Sequence, residues 1–84
     1  WYQWNQDSVA NSFEGRVQVD DTTQIFTHVQ EPQDPAATQR NTTHAFAYVT
    51  LTAGAHTIDI DYRAGSAATT ARMLASAIEL WRVS

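Results

Sequence analysis

The chain has 84 residues, a formal net charge of −4, no cysteine and no lysine, so its five positive charges are all arginines set among nine carboxylates. That length holds a single domain, residues 1–84, and a fold so small hides only about 60–65% of its unfolded surface. Without cysteine, disulfides and thiolate zinc sites are excluded and partner subunits are the remaining aid to stability. Scattered arginines exclude a counterion-displacing nucleic-acid surface. No apolar run approaches the roughly 20 residues that cross a bilayer, so no membrane insertion is expected, and no signal-peptide pattern opens the chain. It starts at Trp1 rather than Met, which fits either processing or a piece of something longer.

Apolar and polar residues alternate through much of the chain, the period of half-buried strands. Phe13, Gly15, Val17 and Val19 fall on one face of a predicted strand, with Glu14, Arg16, Gln18 and Asp20 on the other. Asp20-Asp21-Thr22 predicts a turn, and Ile25, Thr27 and Val29 resume the alternation as the second arm of a hairpin. Residues 31–43, EPQDPAATQRNTT, contain both prolines and read as the longest loop. Beyond it, Ala45, Ala47, Val49 and Leu51 alternate with Phe46, Tyr48, Thr50 and Thr52. A Gly54 turn then leads to Ile58, Ile60 and Tyr62, so a second hairpin is predicted. Ala64 to Ala68 reads as a loop.

Residues 69–83 divide the two patterns. Met73, Leu74, Ala77, Ile78 and Trp81 have helical spacing, with Thr69 or Thr70 as a cap, whereas Ile78 to Val83 also alternate as a strand.

Several segments resemble the C-terminal β-sandwich domains of phage tail and virion fibre-like proteins. They are Gln18 to Thr23, Gln30 to Asp34, the run from Val49 to Tyr62, and the ending Ala77 to Val83. The resemblance spans nearly the whole chain and contains no catalytic signature. It implies an all-β, antiparallel, jelly-roll-like sandwich in which Ile78 to Val83 is the last strand. Such domains usually carry strands ahead of the Trp-rich segment that here holds Trp1, Tyr2 and Trp4. The sandwich is therefore expected to be incomplete and covered by neighbouring subunits, since an open edge invites association.

The residues offer no catalytic, cofactor or metal constellation. His28, His44 and His56 lack ligand spacing, and Asp59 and Asp61 share a strand face but read as its ordinary polar side, balanced by Arg63. The serines lack a nucleophile elbow, and no phosphate loop is present. Asn41-Thr42-Thr43 matches a glycosylation acceptor, a short pattern common by chance.

The expectation is a non-catalytic structural module of a virion, in the tail, a fibre or a capsid decoration. It would assemble with itself, as a trimer by analogy, and with other virion proteins, with Phe46, Tyr48 and Trp81 as subunit contacts. The alternative is a module whose 31–43 loop binds a host-surface glycan or receptor. A glycan hydrolase is the third reading, and a sandwich this small offers it little depth.

Overall fold

A computed structural model describes residues 1–33 and 39–83. The fold is all-β, with six strands: β1 (Tyr2–Gln6), β2 (Phe13–Val19), β3 (Thr23–Gln30), β4 (Asn41–Thr43), β5 (Ile58–Ala64) and β6 (Ala71–Ser76). They form two three-stranded antiparallel sheets, β4-β1-β6 and β3-β2-β5.

The predicted β2–β3 hairpin is present. Asp20 and Asp21, in its turn, both take positive φ, 54° and 59°, and aspartate tolerates that region better than most residues. The face of β3 differs from expectation. Val17 pairs with Phe26 but Gln18 pairs with Gln24, so Ile25 is an extra residue in the ladder. This bulge reverses the alternation. Phe26 and His28 thus lie on the side of Val17 and Gly15, and Val29, expected to face inward, is exposed.

The core lies where the sheets meet. Tyr2 and Trp4 come from one sheet and Phe13 from the other, with Phe26, Ile60, Ala71 and Met73 packed around them. Trp4 and Phe13 have no exposed surface and stack at 4.3 Å between ring centroids. The Trp4 indole Nε1 donates to Thr43 Oγ1 at 3.0 Å, so its polar atom is satisfied inside. Tyr2 lies across Gly15, where a Cβ would run into the phenol oxygen, so this strand position has room only for glycine.

Three other expectations are corrected. The second hairpin is absent: β5 pairs with β2, and 44–57 contains no strand. The 31–43 loop ends in a strand, because Asn41–Thr43 pairs with β1; residues 34–38 of that loop lie outside the described residues. The helical reading of 69–83 also fails. Ala71–Ser76 is a strand, since pairing along β1 satisfies its backbone and places Met73 against the core. Residues 77–83, expected to continue it as the last strand, lie in no ladder beyond Ala77.

Candidate assembly site

The site lies at the Trp1 end of the β4-β1-β6 sheet. Tyr2 pairs with Thr43 on one side and Ser76 on the other, and Trp1 exchanges two backbone hydrogen bonds with Ala77, at 3.0 and 3.1 Å. The chains of β4 and β6 both run antiparallel to β1 and continue past that point. Residues 44–52 and 77–83 do so without a turn or bend, and neither segment belongs to a sheet.

Between them is a groove of about 150 Å³. Trp1 and Tyr2 form its base, Ala45, Ala47 and Val49 line one wall, and Ala77, Ile78 and Leu80 line the other. Its floor is Val17, Ile25, Phe26, Ile58 and Ile60 from the opposite sheet. The alternation read at 45–52 and 78–83 does not sort cleanly into faces: Phe46 and Glu79 line the groove beside Ala45, Ala47, Val49, Ile78 and Leu80. Neither segment is a strand of either sheet.

The three residues expected to make subunit contacts lie on these segments. Phe46, Tyr48 and Trp81 are 80%, 74% and 79% exposed, and Phe46 meets Tyr48 edge-on at 5.2 Å. Leu80 and Val83 are also largely uncovered. These exposed apolar side chains make the surface a candidate for contact with another molecule.

The polar residues singled out in the sequence go elsewhere. Asp59 and Asp61 do share a face of β5, opposite Gln18 and Arg16 of β2. Arg16 Nε donates to Asp61 at 3.2 Å, and one register step along, Arg63 Nε donates to Glu14 at 2.6 Å. These are cross-strand pairs on an exposed face. Asp59 hydrogen-bonds with Asp21, and that contact, reinforced by desolvation and by the charges of Asp21 and Asp61, raises its carboxyl above the ordinary 3.8. Among the described residues, no three His, Asp or Glu side chains converge as metal ligands.

The histidines separate. His28 sits in the core margin: its Nδ1 is within hydrogen-bond distance of the Tyr2 hydroxyl at 2.8 Å, and its Nε2 of Gln30 Oε1 at 2.9 Å. Burial raises the Tyr2 phenol above 10.0, so it keeps its proton. His56, which precedes β5, places Nδ1 2.7 Å from an Asp20 carboxylate oxygen and Nε2 2.7 Å from the Thr52 carbonyl. The Asp20 bond first, then that to Thr52, raises the His56 pKa above 6.5; Asp20, held by His56 and by the Thr57 N–H, falls below 3.8. This clamp ties the β2–β3 turn to the stretch that returns from the groove wall to β5.

Pattern reading found the aromatic residues but not the groove, because nothing in 44–52 or 77–83 announces that a strand-like segment has no neighbour. The base of the groove was signalled only by the clustering of Trp1, Tyr2 and Trp4. Comparison of the chain with family models, with curated proteins and with solved structures returned no match.

Proposed function

We propose that this chain is a non-catalytic assembly module: a β-sandwich serving as a structural part of a phage virion, whose work is to hold subunits together. The observation that supports this is the exposure of Phe46, Tyr48, Leu80, Trp81 and Val83 on two segments, 44–52 and 77–83, that belong to neither sheet. Such a surface gains from association through apolar burial. The virion setting rests on the resemblance of the strand-and-turn segments, as does the jelly-roll description of the sandwich. Light scattering across a concentration series tests the assembly reading: particles larger than one chain support it, and a folded monomer at every concentration overturns it.

A second reading has one observation of its own. A depression of about 280 Å³ is lined by Tyr62, Arg16, Arg63, Glu14 and Asp61, an aromatic ring bordered by charged groups, which is a surface a host glycan could use. Binding on a glycan array that is lost in Tyr62→Ala would favour it.

A further inference from the structure

We propose that His56 is a proton-operated latch: the proton on its Nε2 holds the Thr52 carbonyl, and loss of that proton opens the bend at residues 52–56 while the two sheets stay folded. The latch belongs to the single chain and stands whether or not chains assemble.

Each ring nitrogen faces an oxygen that can only accept. Nδ1 lies 2.7 Å from a carboxylate oxygen of Asp20, and Nε2 lies 2.7 Å from the backbone carbonyl of Thr52. A neutral imidazole has one N–H and one lone pair, so it satisfies one of these two; only the imidazolium donates to both. When the ring gives up a proton, the N–H that remains goes to the stronger acceptor, the charged carboxylate. The Nε2 lone pair is then set against those of the Thr52 carbonyl at a separation that only a hydrogen bond sustains, and the two must part.

The movement falls on Thr52 because the other side is anchored. Asp20 accepts the Thr57 N–H at 2.9 Å on its second carboxylate oxygen and gives its own N–H to the Thr57 carbonyl at 2.9 Å. Among the described residues, no backbone hydrogen bond closes the bend at 52–56, and Gly54 within it takes a φ of 123° in open space. The His56 ring is what closes it. Phe46 and Tyr48 lie on the segment that leads into this bend, so the placement of that exposed pair follows the charge on one ring.

The charge that acts on the ring is that of Asp20; Asp21 and Asp59 engage each other, Asp61 pairs with Arg16, and Arg63 with Glu14. The bond to Asp20, and after it that to Thr52, raises the His56 pKa above 6.5, so the latch is closed below the raised value and opens as pH rises through it. The side chain is 19% exposed, which lets it exchange protons with solvent.

A titration of the whole chain by NMR over about pH 5 to 9 tests this, with ring nitrogens and backbone amides followed together and the His28 and His44 rings as separate signals. The expected result is loss of the proton from Nε2 and not Nδ1, with a midpoint above 6.5. Amides of 52–56 should shift with that same midpoint and gain fast motion, while those of the β1–β6 ladder hold still. Asp20→Asn, which keeps an oxygen for the Thr57 N–H, should lower the midpoint, and His56→Gln should abolish the shift at 52–56. Circular dichroism establishes that both variants fold. Proton loss from Nδ1, a ring that titrates while 52–56 stay unmoved, or a midpoint unchanged in Asp20→Asn would overturn the latch. Ladder amides lost together with 52–56 would overturn it in favour of general unfolding.

Discussion

Trp4 and Trp81 meet opposite fates. Trp4, on β1 between β4 and β6, has no exposed surface, stacks on Phe13 and gives its indole proton to Thr43. Trp81 lies on the continuation of β6, with no strand beside it, and is 79% exposed. Both lie in alternating stretches with similar neighbours in sequence. The difference is made by the strand alongside, which converts a pattern of faces into a buried layer at one end of the molecule and leaves it unused at the other. The buried aromatic layer thus lies around β1, and the exposed one lies on the segments that leave β4 and β6.

That contrast can be broken most forcefully at the closed end. Trp4→Ala removes the largest buried side chain and the ring that stacks on Phe13 at 4.3 Å, and is expected to cost about 3–5 kcal/mol, read from urea unfolding. Gly15→Ala places a methyl group against the Tyr2 ring and is expected to cost about 1–3 kcal/mol by the same measurement, since that ring is held by Phe13 and His28 and has little room to yield.

A smaller, pH-dependent effect belongs to the clamp between the two ends. Asp20 has a lowered pKa, so its contribution is present above 3.8 and is lost as pH falls through the lowered folded value. His56 has a raised pKa, so its contribution is complete below 6.5 and is lost as pH rises through the raised folded value. The gap in Tm between the wild type and His56→Ala is therefore expected to be widest between pH 3.8 and 6.5 and to narrow on both sides. A gap independent of pH would show that the ring acts by packing alone.

The smallest effect on stability is expected at the open end. Trp81→Ser should change the unfolding free energy by no more than about 0.5 kcal/mol, because the side chain has little to lose in the single chain. Its effect should appear instead as smaller particles in light scattering. A large loss of stability would mean that Trp81 is covered in the folded chain and that the comparison with Trp4 fails.

Legibility in the sequence followed locality. The β2–β3 hairpin could be read because Val17, Val19 and the Asp20-Asp21 turn lie within a few residues of one another and carry their own geometry. The face of β3 could not, since one inserted residue, Ile25, reverses the alternation and no residue type marks it. The strand of Ala71–Ser76 was masked by good helix formers, and pairing with β1, from the opposite end of the chain, overrides that propensity. Residues 45–52 show the converse failure, a strand pattern with no strand opposite. Phe46, Tyr48 and Trp81 could be read as exposed candidates from their position opposite the aliphatic face, whereas the groove beside them lies between segments far apart in the chain, which only the three-dimensional pairing brings together.

The pairing of β1 with distant strands also sets the order in which the fold can form. The β2–β3 hairpin closes over Asp20, Asp21 and Thr22 and can form as soon as residues 13–30 are made. Tyr2 and Trp4 must wait much longer, because their partners lie at Asn41–Thr43 and, on the other edge, at Ala71–Ser76. Non-local pairing of this kind slows folding, and Tyr2 and Trp4 can be buried only once residues far downstream of them have been made. Until then these two large rings stand in water, so the incomplete chain exposes more apolar surface than the finished fold does.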